Sequence, residues 1–598
     1  MDTAIKDKQV LGGGAFLIQE STAAEVHTPE DVNEEQIMFR DMVRDFVQKK
    51  VWPKVIEIDN KGYHLLPDLL KEAGELGILG ATLPEQYGGL GVNFNTESLL
   101  SEEIGTSFSF GVAVAAHTGI GTLPILYFGN EEQKAKYLPG MITGEIKASY
   151  CLTEPGSGSD ALAAKTKAVL NEEGTHYILN GQKMWITNAG FADILTVFAK
   201  VDGELFTGFL VDADAEGVTL GEEEDKMGIK GSSTRQVFFE NVKVPVESVL
   251  GKIGEGHKIA FNVLNIGRYK LSAMVIGGAK GALEQAVKYA NERQQFKVPI
   301  ASFGMIKHKL AEMAVRIHAV DCANFRTSGL ITDRIAVLKG EGMEPYLAKL
   351  QAAEEYSIEC AMLKVAGSEA LDYVVDENVQ VHGGMGFSEE GHVARGYRDS
   401  RINRIFEGTN EINRLLSVGM LLRKAFKGEL DLMGPAMAVQ KELMAVPDFG
   451  SNGSDDPLYA EKKAIRNGKK AILMVAGAAA QKFMQNLEKE QEIMMYAADM
   501  LIELFCAESA ILRAEKLINS KGEEAAAHHL DLARVYLYDT MERMHTSGKR
   551  AICGFAEGDE LRMMLLGLKR FTKMDPYNTI AARRRIADKV IEAESYCF

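Results

Sequence analysis

The chain has 598 residues, 46% of them hydrophobic and 25% charged, with a formal charge of −17 at neutral pH. That length points to several domains, and this ordinary globular composition excludes a disordered or collagen-like chain. The acidic balance argues against general nucleic-acid binding, because it repels phosphate backbones. The 6 cysteines form no CxxC pair, which fits a reducing compartment better than a zinc ribbon or disulfide scaffold.

Taken in chain order, residues 1–33 are rich in Gly, Glu and Thr and read as a flexible N-terminal arm. Asp2, Asp7 and the lack of any Arg before Arg40 fit neither a transit nor a signal peptide, so the expected location is the cytoplasm. Phe39, Met42, Val43, Phe46 and Val47 form one helical stripe that should stop at Trp52-Pro53. Helical text continues through an N-terminal α-helical domain over 34–149, interrupted by the loop Gly88–Gly91. No run approaches the roughly 20 apolar residues of a membrane span.

Between 150 and 255 the pattern becomes β. Asn180-Gly181 predicts a hairpin turn, and short strand-like runs follow at 194–199, 206–211 and 236–244. No crossover helix fits between them, so the expected pairing is antiparallel, in a barrel or sandwich. Residues 256–428 read as a helical bundle and 429–598 as an additional α-helical extension, whose polar linker lies at 447–457. The fold class is α+β, mostly α.

YCLTEPGSGSDA (150–161) contains Gly156-x-Gly158-x-x-Ala161, a partial dinucleotide fingerprint without the helix that fingerprint requires. It reads either as a plain Gly/Ser turn or as a loop whose N–H groups and hydroxyls approach an anionic or flat ligand. Glu407, between Phe406 and Gly408, is either a base raised in pKa by apolar surroundings or an exposed Glu before a helix capped by Thr409. Arg293 opens RQQF, and its fork suits a pyrophosphate as well as a solvated surface. Trp185 and Thr187 of KMWITN fit a core strand or the wall of a flat ring. His382 in QVHGGMGF reads as structural, and the acid run Glu222–Asp225 as a solvated loop. No motif for a catalytic metal occurs.

YCLTEPGSGSD, KMWITN, RQQF, QVHGGMGF and IFEGTNEI, in that order, resemble the acyl-CoA dehydrogenase family over about residues 35–425. The extension resembles the very-long-chain branch of that family. The resemblance implies FAD-dependent α,β-dehydrogenation of acyl-CoA in fatty acid β-oxidation, with electrons passing to an electron-transferring flavoprotein, in a homodimer. It implies Glu407 as catalytic base. Some branches carry the base just before a motif Arg, and here Gly267 precedes Arg268. It further implies FAD contacts at Tyr150, Leu152, Thr153, Ser159, Trp185, Thr187, Arg293, Phe296, Gln380, Gly383, Gly384, Thr409 and Glu411, partly across a subunit interface. Acyl-CoA contacts are implied at Ser159, Asn265, Arg268 and Gly408. An O₂-dependent acyl-CoA oxidase and a non-catalytic scaffold share the same fold and stand as alternatives.

The small residues Gly111, Ala113, Ala115 and Ala116 suggest a deep acyl channel beside 108–120, favouring long chains. In the extension, Lys462, Lys463, Arg466, Lys469 and Lys470 precede the apolar AILMVAGAAA. That helix could rest on an anionic membrane surface or pack on its own protein.

Overall fold

A computed structural model describes residues 10–444 and 456–598. Helix α1 (Glu34–Phe46) begins at a reciprocal capping box between Asn33 and Gln36, which satisfies donors left orphaned at a helix start. Pro53 does not end the helical path. The chain runs through a wide turn at Val47–Val51 and a tight one at Trp52–Lys54, where Pro53 sits in a first turn that needs no donor from it. Helices α2 (Leu65–Glu75) and α3 (Phe94–Ile104) pack around Val43, Leu66, Leu69 and Phe110, while α4 (Glu131–Thr143) sets Tyr137, Leu138 and Met141 in a second core with Tyr150 and Phe198. Contrary to the sequence expectation, one run, Ser109–Phe128, is long and apolar enough to cross a membrane by length and composition. In this fold 78% of it is buried inside the protein.

The middle layer holds strands β1 (Ala148–Cys151), β2 (Lys167–Leu170), β3 (His176–Thr187), β4 (Ile194–Val201), β5 (Leu205–Asp212), β6 (Val218–Glu223), β7 (Thr234–Pro245) and β8 (Val249–Leu250). Their order is β6-β7-β3-β2-β4-β5-β8, with β1 beside β4. Two expectations need correction. The sheet is mixed, since β1 and β2 both run parallel to β4; β1 enters from the helical layer and β2 reaches β4 only after the long excursion of β3. Asn180-Gly181 also makes no hairpin turn. Strand β3 runs straight through it with a register shift at Leu179/Gly181, and a Cβ on Gly181 would stand 2.4 Å from Thr166 Oγ1. The glycine serves close approach at a bulge.

Helices α5 (Gly256–Glu292), α6 (Gly304–Gly340), α7 (Pro345–Glu355), α8 (Ser357–His382), α9 (His392–Ser400) and α10 (Asn410–Phe426) form the bundle. The extension adds α11 (Tyr459–Phe483), α12 (Gln491–Lys521), α13 (Glu523–Phe555), α14 (Gly558–Phe571) and α15 (Thr579–Ala593). One continuous apolar core runs from Ile276 and Leu310 of the bundle through Phe505, Leu532 and Ile586 of the extension. The linker expected at 447–457 falls largely outside the described residues.

The arm differs from expectation, and the basic-then-apolar helix follows the second of its two readings, packing on its own protein. From Val10 on, the N-terminal segment is docked: Phe16 is buried against Phe505, Gly14 N donates to Glu359, and Lys424 Nζ and Tyr356 Oη donate to the carbonyls of Gly13 and Leu11. A segment that fills the seam between bundle and extension gains more from burial than it loses in chain entropy. In α11, Ala471, Ile472, Leu473, Met474, Val475 and Ala479 are buried in the protein's own core. Lys462, Lys469 and Lys470 pair with Glu515, Glu508 and Glu442, while Lys463 is exposed beside the Tyr459 ring; the apolar stretch is spent on packing inside the protein.

Candidate active site

A cavity of about 2010 Å³ lies where the β layer meets the bundle. One wall is the loop between α9 and α10. Glu407 and Gly408 both take positive φ, +57° and +80°, a conformation that costs a non-glycine residue energy and persists only where the surroundings impose it. They do so through several bonds. Asn413 Nδ2 donates to the Gly408 carbonyl at 2.7 Å, Lys364 Nζ donates to the same oxygen at 2.7 Å, and Arg268 Nε reaches the Glu407 carbonyl at 3.4 Å. Thr409 then caps α10, accepting from Ile412 N.

The Glu407 carboxyl lies at the cavity wall with Oε2 closed off and without a hydrogen-bond partner. Burial raises its pKa, while the positive charges of Arg268 and Lys364 pull it back toward the ionised form. Among the described residues the Glu407 backbone N–H donates to no backbone carbonyl. Residue 407 thus combines a buried carboxyl oxygen with a backbone N–H outside any backbone–backbone bond, the two kinds of group that proton abstraction next to a carbonyl requires.

The opposite wall comes from the two β-domain motifs. Strand β3 carries a second register shift at Lys183/Ile186, and Trp185 at φ +57° is turned out of the sheet, 59% exposed and lining the cavity. A bulge here re-aims a side chain. Met184 N donates to the Thr153 carbonyl at 2.9 Å, and Lys183, fully buried, pairs with Glu154 at 2.8 Å. Glu154 also accepts from Lys165 N and Thr166 N. The pair locks the YCLTEP loop to the KMWIT strand, and Tyr150, Leu152, Thr153, Ser159, Trp185 and Thr187 all reach the cavity. No helix follows Gly156–Ala161 beyond the short turn Ala161–Ala163, so the dinucleotide fingerprint is not realised.

Asn265 and Arg268 line the cavity as well, joined by Arg268 Nη1 donating to Asn265 Oδ1 at 2.8 Å. Arg268 thus braces the Glu407 loop. Arg293, Phe296, Gln380, Gly383, Gly384 and Glu411 do not line the cavity and are exposed. His382 of the QVHGGMGF motif stacks on Tyr289 of α5, four residues before Arg293, with ring centroids 4.2 Å apart. With its Nδ1 bonded to the Asn378 carbonyl, His382 is structural. Glu223 of the acid run is structural too, pairing with Arg235 and accepting from Ser233 and Thr234.

The channel expected beside 108–120 is not formed by its small residues. Of that segment only Ile120 lines the cavity, and a Cβ on Gly111 would stand 2.8 Å from the Ile104 carbonyl, so smallness there serves close helix packing. The apolar wall is supplied by Phe261, Leu264, Leu347, Leu350, Leu416 and Met420 instead. Helix α7 is anchored through Lys349, which with Lys270 meets Glu97. Burial raises the Glu97 pKa, but the two ammonium groups outweigh it and hold the carboxyl at about 2. Sequence reading passed over Glu154, Lys183 and Lys364. Lys364, a single charge inside the apolar run CAMLKVAG, was the visible signal.

Comparison with known proteins gives a consistent picture. Three domain families of acyl-CoA dehydrogenases match: the N-terminal domain over residues 33–145, the middle domain over 149–242 and a C-terminal domain over 254–420. A further acyl-CoA dehydrogenase C-terminal domain family matches 467–570. A probable acyl-CoA dehydrogenase of Bacillus subtilis is 47% identical, over 99% of this chain and 100% of its own length. The human mitochondrial very long-chain specific acyl-CoA dehydrogenase is 36% identical, over 79% of this chain and 73% of its own. The crystal structure of an acyl-CoA dehydrogenase from Bacillus anthracis, complexed with FAD, superposes with a TM-score of 0.96 at 49% identity, covering 98% of this chain and 100% of that one.

Proposed function

The chain belongs to the acyl-CoA dehydrogenase family, and from that premise we propose that it converts a long-chain acyl-CoA to the trans-2-enoyl-CoA in fatty acid β-oxidation. FAD, when bound, accepts the β hydride. The observation that carries the reading is the Glu407 carboxyl, with Oε2 buried and unpartnered, at the wall of a cavity large enough for a tricyclic ring and a thioester. An α C–H beside a thioester is a weak acid, so its removal needs a buried base and a donor for the thioester oxygen. Glu407 takes the proton, and its backbone N–H supports the oxygen. Asn265, Arg268, Gly408 and Ser159 hold the thioester end.

Tyr150, Leu152, Thr153, Ser159, Trp185 and Thr187 would hold the flavin ring and its chain, with Thr409 on the side of the base and Glu411 outside the cavity lining. Arg293, Phe296, Gln380, Gly383 and Gly384 would take the FAD of a second copy in a homodimer. Their shared exposure and their absence from the cavity lining support that assignment. Electrons pass to an electron-transferring flavoprotein. The long-chain preference rests on the cavity's size and on the matched extension. A cytoplasmic setting fits the 6 cysteines, all free.

The test is anaerobic mixing of the yellow protein with palmitoyl-CoA. Wild type bleaches, and Glu407→Gln keeps its flavin but stays yellow. Rapid bleaching by that variant removes Glu407 from the role. Activity confined to butyryl-CoA removes the long-chain reading, and peroxide formed in air without an acceptor identifies an oxidase.

A further inference from the structure

Lys364 is wholly buried in α8, a setting in which an ammonium group survives only with good partners. Its partners are the base loop. Nζ donates to the Gly408 carbonyl at 2.7 Å and to Asn410 Oδ1 at 2.8 Å. Asn410 is in turn fixed by Ser368 and Glu369 of the same helix α8. A single cation thus joins Gly408, the second of two consecutive positive-φ residues, to Asn410, the first residue of α10, and so ties the end of the turn to the helix that follows it.

We infer that Lys364 is a positioning residue for the reaction: it holds the Glu407–Gly408 turn in its left-handed conformation and supplies the positive charge that keeps the base available. The inference rests on the assignment of Glu407 as base. The charged and titratable groups around the pair come from every packed element: Arg268 from α5, Glu369 from α8, Glu411 from α10 and Tyr150 from β1. Burial lowers the Lys364 pKa to about 8, with Glu407 opposing that fall and Arg268 adding to it. Lys364 in turn lowers the Glu407 pKa against burial. Losing the cation therefore moves the ionisation of the base to higher pH, while losing the hydrogen bonds releases the turn. These two effects can be separated.

The experiment compares holoenzyme carrying Lys364→Met, which removes charge and bonds, with Lys364→Gln, which removes the charge and keeps hydrogen-bonding capacity. Two readouts are taken: the pH profile of anaerobic flavin reduction by palmitoyl-CoA, and an infrared titration of the Glu407 carboxyl, identified by its loss in Glu407→Gln. Both variants are expected to shift the Glu407 titration and the rate profile toward higher pH. Lys364→Met should in addition lose on the order of a hundredfold in its limiting rate, partly recovered in Lys364→Gln. An unchanged titration and profile in Lys364→Gln overturns the inference, even if Lys364→Met fails to fold. Bleaching by Glu407→Gln would instead overturn the base assignment beneath it.

Discussion

Gly267 of α5 and Glu407 meet across the cavity wall: a Cβ on Gly267 would stand 2.7 Å from Glu407 Oε2 and 3.2 Å from its Cδ. The glycine is helical, so its role is clearance rather than backbone freedom. This is also the position just before the motif Arg that other branches use for the base, so either position would bring a carboxylate to the same point.

Gly267→Ala should therefore separate stability from activity. Alanine is favoured over glycine inside a helix by about 1 kcal/mol, and the atom it meets is the end of a side chain that can move. The expected melting temperature is equal to or above wild type, with FAD content unchanged. The displaced carboxylate should slow single-turnover flavin reduction on the order of a hundredfold, as small misplacements of a catalytic group do. A wild-type rate would show that the carboxylate has space to spare.

The Glu154–Lys183 pair, 5% and 0% exposed, carries a second prediction. Lys183→Met leaves the Glu154 carboxylate buried with only the two backbone donors of Lys165 and Thr166. Breaking one side of a buried pair costs about 3–5 kcal/mol. The double variant Glu154→Gln/Lys183→Met should recover much of that, because Gln still accepts from those N–H groups. Urea unfolding of the four proteins gives the coupling energy, and additive losses would mean that the two residues act independently.

What the sequence made legible depended on how local the information was. The α–β–α order and the extension follow from periodicity, and the cavity-facing residues of YCLTEPGSGSD, KMWITN and IFEGTN from the family resemblance of their motifs. Features set by tertiary contact were not legible. Asn180-Gly181 has hairpin chemistry, yet the close approach of Thr166, just before β2, meets that glycine at a bulge. Gly111 looks like channel space, yet the Ile104 carbonyl fills it. The Gly-rich start looks like an arm because its partners, Glu359, Lys424 and Phe505, lie hundreds of residues away. Arg293 and Gln380 are legible only by resemblance, since one chain alone gives them no ligand-facing wall.

Phe16 tests that docked segment. It is 1% exposed, with its ring edge-on to Phe505 at 4.8 Å between centroids. Phe16→Ala should cost about 3–5 kcal/mol, as large-to-small changes in a packed core do. Because its partners belong to both bundle and extension, the loss should appear as one earlier unfolding transition seen by calorimetry. A melting temperature within a degree of wild type would mean that the segment is dispensable.

Asp399 predicts a pH-dependent stability. Its Oδ1 accepts from Ile229 N, in a loop that lines the cavity, while Oδ2 has no partner. Burial drives its pKa from an ordinary 3.8 up to about 7; Asp59 adds to the rise, and the Ile229 N–H, Arg395 and Arg398 oppose it. The folded state therefore holds a proton that the unfolded chain has released between those two values. Stability from this group is fully present below pH 3.8 and declines as pH rises toward 7, where it levels off. Asp399→Asn keeps an acceptor for Ile229 N and has no charge to bury, so it should match wild type near pH 4, exceed it increasingly up to about pH 7, and keep a constant margin above that. Urea midpoints at several pH values across that range check the slope. Parallel curves for the two proteins would show that Asp399 is ionised in the folded state throughout, and that the neighbouring arginines outweigh its burial.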